Sequence, residues 1–351
     1  MALSLELLPA RDGRVESVWR ELSHAATSYF LSWGWIACWL AMVPPAHAAQ
    51  LAVVRQHARP IAAAFLGRRR EVRHGVLASR QRHLNTTGVL QFDELCVEHN
   101  SVVGDLPGGV PALLQLLPDD WDEVVLPGIE RAQVADDPRW RVRVDRESVA
   151  PFVDLARVRA KDYVSLLGSS TRSQLRRARR NAEPLQLERA TTIEEADRIY
   201  DELVALHTAR WRERDQPGVF ADPWFTAFHR RLIHERIATG EIDLLRVRAG
   251  ERTVGCLYNF VWQGRVSFYQ SGLAAPVDRH DKPGYLCHAV AIEAAAAVGH
   301  AVYDFLCGDD RYKQNLATDQ TTLVWARVQR PLVRFAVEDQ LRSWRRRFRE
   351  V

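Results

Sequence analysis

The sequence predicts an α+β protein of mixed α/β type, two similar domains each built on a mixed, largely antiparallel sheet flanked by helices. Three observations lead there. At 351 residues the chain is long enough for two domains with separate cores. Its second half reads strand, two helices, a three-strand meander, helix, strand, helix and strand, an order that is neither doubly wound nor a barrel. A pattern of glycine, helix, short buried strand and glycine occurs twice, around Gly108 and around Pro283, at an offset of about 180 residues.

Residues 3–8 suit a first strand, 15–24 a helix, and 30–42 a second helix whose Trp33, Trp35 and Trp39 are core anchors. Residues 51–54 and 60–66 form a hairpin, and 68–100 are polar, arginine-rich and without a clear period. Gly108-Gly109 precedes a short helix over 110–117, and 122–126 is a strand ending at Pro127-Gly128. Residues 140–155 are extended and close a first domain at 1–158. A basic connector helix over 159–184 follows, with Ser170 and Thr171 as caps and Arg172, Arg176, Arg177, Arg179 and Arg180 spread around an apolar face of Leu175, Ala178 and Ala182. Those arginines are either a solvated face or an anchor for phosphates. The second domain, 185–351, has a strand at 185–189, helices over 192–214 and 223–239, and a meander at 242–248, 253–263 and 265–271. A helix over 285–298, a strand at 302–306, a strand at 321–328 and a basic terminal helix over 331–350 complete it.

The composition, 47% hydrophobic and 26% charged, excludes a disordered chain, and a net charge of +4 does not mark a DNA binder. Five scattered cysteines give neither a disulfide framework nor zinc-ligand spacing, so no metal is expected. The apolar run over 29–44 is too short and too interrupted for a membrane span, and the chain reads as cytoplasmic, without membrane insertion. The motifs GxSxG, GxxxxGK[ST], HExxH and GxGxxG are absent.

The densest chemistry lies over 283–313. Pro283-Gly284 starts a helix whose free amides favour an anion, and an acid, Asp304, interrupts an apolar strand. A carboxylate there demands a partner, and Arg311 and Lys313 lie within loop reach. Asp304 is thus either catalytic or a cap on the loop held by Arg311. Lysine occurs only at 161, 282 and 313, which singles out Lys313. Tyr269, on a face shared with Ser267 and Ser271 by strand alternation, is a candidate proton donor or a core aromatic. His207 and Trp211, one helical turn apart, are candidates to wall an acceptor pocket.

STRSQLRRARR from Ser170, LHTARW over 206–211, VSFYQSG from Val266 and the PG-helix, YDF-strand and YK-loop run together resemble the GNAT acyltransferase superfamily. Within it the chain resembles the tandem-domain branch of cellulose-biosynthesis-type (CelD-like) acetyltransferases, related to the Fem-type aminoacyltransferases. The resemblance covers most of 165–330 and implies that the second domain is active and the first degenerate. It implies an acyl-CoA co-substrate whose pantetheine arm enters between two splayed strands beside Gln270 and Ser271, with its pyrophosphate against Lys282, Pro283, Gly284 and Tyr285. Lys313 matches the lysine that meets the substrate or transferring group, Asp304 and Tyr269 complete the catalytic set, and His207, Trp211, Arg311 and Tyr312 bind substrate. The glycine-rich QxxGxG/A signature of single-domain relatives is replaced by Lys282-Pro283-Gly284. The expected reaction is acyl transfer from a thioester to an amine or hydroxyl of a small molecule, sugar or cell-envelope precursor. The alternatives are an aminoacyl-tRNA donor gripped by the arginine helix, or a silent scaffold of an envelope or exopolysaccharide pathway.

Overall fold

The computed structural model describes residues 3–134, 137–182, 184–308 and 310–347. Its first stretch runs β1 (Leu3–Pro9), α1 (Val15–Ser23), α2 (Trp33–Met42), β2 (Gln50–Gln56), β3 (Arg59–Arg73), β4 (Leu77–Leu84), α3 (Leu90–Asp93), β5 (Val103–Gly104), α4 (Gly109–Leu116), β6 (Glu123–Glu130) and β7 (Arg141–Asp154). Next come α5 (Leu155–Ala160), α6 (Tyr163–Leu166), α7 (Ser169–Ala182), β8 (Leu185–Arg189), α8 (Ile193–Arg212), α9 (Pro223–Arg236), β9 (Ile242–Ala249), β10 (Arg252–Trp262) and β11 (Arg265–Leu273). The chain ends with α10 (Pro283–Ala297), β12 (Val302–Asp304), α11 (Arg311–Leu316), β13 (Asp319–Gln329) and α12 (Val333–Arg347).

The sequence-predicted boundaries run consecutively, whereas by contacts the two compact units interleave. One unit comprises 1–25, 43–147 and 323–351, and the other 26–42 and 148–322. The exchanged pieces are apolar and need a core: Trp35 of α2 packs on Phe228 and Phe260 of the second unit, and Phe335 of α12 is buried in the first.

In the first unit the sheet order is β1-β2-β3-β4-β6-β13, with β5 on β3. The arginine-rich stretch after residue 68 is strand, because β3 runs on to Arg73 and pairs antiparallel with β4 from Leu66↔Leu84 to Arg73↔Leu77. Charge hid it: Arg69, Arg73 and Arg82 find carbonyl or carboxylate partners that only the fold supplies. Glu123, wholly buried at the start of β6, collects Ser79 Oγ at 2.6 Å, Gln81 Nε2 at 2.8 Å, Gln329 Nε2 at 3.0 Å and the Arg73 guanidinium. Burial opposes its charge, but these donors win and hold its pKa down at about 2, against an ordinary 4.5. The folded carboxyl is the stronger acid, so its stabilisation is complete above about pH 5 and is lost as pH falls toward 2. Urea unfolding of this unit should therefore lose about 3 kcal/mol over that window, and Glu123→Gln should flatten the dependence.

The second unit has the order β7-β12-β11-β10-β9-β8. On one face α7 and α10 cover a core of Leu175, Ala178, Leu257, Phe268, Leu286, Ile292 and Phe305. On the other, α2, α8 and α9 bury Trp35, Tyr200, Leu203, Phe225 and Phe228. Helix α8 starts where its sequence predicts, and the structure shows a capping box there, in which Glu195 N donates to Thr192 Oγ1 at 3.2 Å. Gly272 lets α8 lie close, since a Cβ there would stand 2.3 Å from Leu203 O. Four local expectations change. The connector helix expected over 159–184 is broken into α5, α6 and α7, all within the second unit. Ser170 and Thr171 lie inside α7, which begins at Ser169, so they do not cap it. The strand expected at 302–306 stops at Asp304; Phe305 still donates to Pro151 O in the β7 register, and the chain turns away at Leu306, at φ +56°. The charged loop after it is the short helix α11. Asp309 and residues 348–350 of the expected terminal helix lie outside the described residues.

Candidate active site

The site follows from one feature of strand pairing. β11 and β12 run parallel and pair over three positions only, Arg265↔Val302, Val266↔Tyr303 and Ser267↔Asp304. Beyond Ser267 the β10–β11 register slips by one residue, so that Tyr258 faces Gln270 and Asn259 faces Phe268, leaving Tyr269 as a β-bulge. The two parallel strands therefore diverge, with Phe268 to Leu273 on one side and Phe305 to Gly308 on the other. The bulge also breaks the expected alternation: Ser271 pairs with Leu257 on the α10 face, while Tyr269 packs on the α9 face with His229 and Phe225.

The first turn of helix α10 lies against the end of β11 beyond the divergence, where a Cβ on Gly284 would stand 3.3 Å from Leu273 Cδ1. Lys282 occupies its N-cap without a side-chain cap bond, and Pro283 is the first helical residue. The loop before it is braced by its own acids, with Asp278 Oδ1 accepting from His280 N at 2.6 Å and Asp281 N at 2.9 Å. Asp281 also accepts from Val277 N and pairs with Arg252 at 3.2 Å. Arg177 of α7 reaches His280 at 3.3 Å, so the entrance is rimmed by cations. Tyr285, one turn in, accepts from Asn315 Nδ2 at 3.1 Å.

Lys313 sits at the base of the divergence. It is 8% exposed; its Nζ donates to Cys307 O at 2.6 Å and lies 5.8 Å from the Phe268 ring centroid. Gly308 makes the room, since a Cβ there would stand 2.8 Å from that Nζ. Asp304, 1% exposed, accepts from Arg265 at 2.6 Å and from Leu306 N at 2.8 Å. Its partner is thus the residue two positions before Ser267 on the adjacent strand. The partner expected from the loop, Arg311, is exposed on α11. Tyr312 turns inward and stacks on His288 at 5.6 Å between centroids.

On the α9 face Tyr269 joins a buried relay. Its hydroxyl is 3.1 Å from His229 Nε2, and His229 Nδ1 is 3.3 Å from the Tyr258 hydroxyl. Burial pushes His229 well below the usual histidine range and keeps it neutral. An aromatic series leads from Tyr269 through Phe225 and Phe220 to His207, and His207 lies 5.7 Å from Trp211. The loop over them needs Gly218, at φ +72° with His207 Cε1 only 3.0 Å from where its Cβ would be. His207 Nδ1 is buried without a hydrogen-bond partner, and burial lowers that histidine to about 4. The structure thus gathers the sequence candidates into two groups: Lys282 to Tyr285, Ser271, Tyr312 and Lys313 on the α10 side, and His207, Trp211 and Tyr269 on the α9 side. His229, His288 and Arg265 were missed. His229 and His288 follow the period of their apolar helix faces, which is the sole signal they gave.

The first unit repeats the pairing and then closes it. β4 and β6 are parallel over Gln81↔Glu123, Arg82↔Val124 and His83↔Val125, again three positions. Past them a segment of the chain itself fills the divergence. Asn100 donates its backbone N–H to Gly128 O at 3.0 Å, and its Nδ2 donates to Leu84 O at 2.9 Å and Pro127 O at 3.0 Å. Its Oδ1 accepts from Asn85 at 2.7 Å, leaving the residue wholly buried.

A comparison with curated proteins finds no match. Residues 169–314 match the acetyltransferase (GNAT) domain family. Among solved structures the chain is similar to the C-terminal DUF2156 domain of a protein named as a lysylphosphatidylglycerol synthetase from Agrobacterium fabrum, at TM-score 0.54 and 10% identity over 94% of this chain and 97% of that one. It is similar also to L-PGS from Bacillus licheniformis, at TM-score 0.53 and 10% identity over 92% and 93%. A conserved protein of unknown function from Bacteroides thetaiotaomicron gives TM-score 0.54 and 12% identity over 93% and 100%. The matched domain begins at α7 and ends just past Lys313, enclosing every sequence-predicted site residue. Over nearly its whole length the chain shares its fold with these solved structures, and within it residues 169–314 match the model of the acetyltransferase (GNAT) domain.

Proposed function

We propose that the second unit transfers an acyl group from an acyl-CoA thioester to an amine or hydroxyl. The observation that carries this reading is the divergence of β11 and β12 below the N-terminus of α10, with Lys313 at its base. Strand backbone beyond the divergence suits the amides of a pantetheine arm, and the helix terminus with its cationic rim suits a pyrophosphate. The acceptor nitrogen or oxygen attacks the thioester carbonyl carbon, the C–S bond breaks, and the thiolate leaves with one proton. Lys313 stabilises the negative charge that develops on the carbonyl oxygen. Asp304 holds Arg265 and the turn at Leu306, and so shapes the slot. Tyr269, whose hydroxyl meets His229 on the α9 face, returns a proton from the acceptor side. His207, Trp211 and Phe220 offer the acceptor an aromatic wall suited to the apolar face of a sugar ring. By the resemblance to cellulose-biosynthesis-type enzymes, the acceptor class is a sugar or cell-envelope precursor, an analogy of fold.

One observation favours a second donor. Arg176, Arg177 and Arg180 are exposed on α7, which packs beside α10, and such a row suits a nucleic-acid backbone. Native mass spectrometry with acetyl-CoA, longer acyl-CoAs and aminoacyl-tRNA separates the two. With the first unit closed by Asn100, we expect one thioester per chain. Two equivalents would overturn the sealed first unit. Salt-sensitive tRNA binding without thioester binding would favour the second donor, and no binding of either would favour a scaffold.

A further inference from the structure

His288, in the second turn of α10, has no role in the scheme above, yet it lies at the centre of the divergence. Its ring is wholly buried. Phe268, the first residue past the pairing on β11, meets it edge-on at 4.5 Å, and Phe305, the first past β12, at 5.1 Å. Nδ1 is 3.0 Å from the Tyr303 hydroxyl, and Nε2 is buried without a hydrogen-bond partner.

The same pair assigns the tautomer. Burial raises the Tyr303 pKa well above its ordinary value, so the hydroxyl keeps its proton. That hydroxyl makes no other hydrogen bond among the described residues, and a buried O–H left without an acceptor is costly. It therefore donates to Nδ1, which leaves the ring hydrogen on Nε2. Burial and the nearby Lys313 charge hold the ring at about 3, so it stays neutral over the working pH range. An N–H fixed in direction, fully desolvated and lacking an acceptor lies between the two strands that part.

We propose that His288 Nε2–H donates a hydrogen bond to a carbonyl oxygen of the acyl donor lodged between β11 and β12. The ligand class is a thioester with an amide-containing arm, which supplies carbonyl oxygens and no competing charge. This inference rests on the acyl-CoA reading, and its test separates the two.

Calorimetric titration would use two probes, an acyl-CoA thioester and its nucleotide part alone, 3′-phospho-ADP. His288→Phe should weaken the thioester about tenfold and leave the nucleotide unchanged. His288→Gln, whose amide nitrogen takes the place of Nε2–H, should recover most of that loss. Equal thioester affinity in the Phe variant and the unaltered protein overturns the proposal, and so does a loss shared by both probes. If the unaltered protein binds neither probe, the acyl-CoA reading itself fails. Should the Phe variant not fold, ring-nitrogen NMR of the unaltered protein decides: the His288 Nε2–H resonance should move on adding thioester and not on adding nucleotide. A resonance that does not move overturns it.

Discussion

Lys313→Ala is expected to lower kcat/KM by about 10²- to 10³-fold while the protein remains folded. The ammonium stands at the base of the divergence, held by Cys307 O and set against the Phe268 face. The other two lysines of the chain are Lys161 and Lys282, and Arg311 of the same short helix is exposed whereas Lys313 is buried. Lys313→Arg should not restore activity, because the room made by Gly308 fits an ammonium and not the larger guanidinium. Gly308→Ala should impair turnover as well, since that residue sits at φ +148°. Thioester consumption measured beside a melting curve checks all three variants. Unchanged turnover in a folded Lys313→Ala protein would remove Lys313 from the reaction.

Asp304→Ala is expected to act on stability, at a cost of about 2–4 kcal/mol, a fall in melting temperature on the order of 5–10 °C. The substitution leaves Arg265 without its carboxylate and Leu306 N without its acceptor in a buried turn. Arg265 retains partial solvent access, which places the cost below that of a fully buried pair. Asp304→Asn keeps an acceptor for Leu306 N and should lose about half as much. A normal melting temperature with abolished turnover would instead make Asp304 catalytic.

Much of the fold was legible because its cause is local. The hydrophobic period of α8, its Thr192–Glu195 box and the proline opening α9 mark their elements without reference to the rest of the chain. The tight turns of the β9–β10–β11 meander do the same. The repeat about Gly108 and Pro283 also reads from sequence, and the matching three-residue parallel pairings give it a geometric basis. The arginine-rich β3–β4 hairpin was not legible, because its charges are neutralised by residues such as Asp120, Glu123 and Glu338 that are remote in sequence. The partner of Asp304 was equally hidden, since Arg265 is 39 positions away.

By itself the sequence determined the types of its periodic elements, the mixed fold class and which half carries Lys313, because those depend on periodicity, caps and composition. Tertiary structure alone decided three things. It exchanged α2 and α12 between the units, because apolar faces go wherever a core accepts them. It bulged β11 at Tyr269, so that Tyr269 and Ser271, two positions apart, serve opposite faces of the sheet. It also closed the first divergence with Asn100 and left the second to Lys313 and His288. Each depends on contacts with other segments of the chain, and the pattern of any one strand does not encode them.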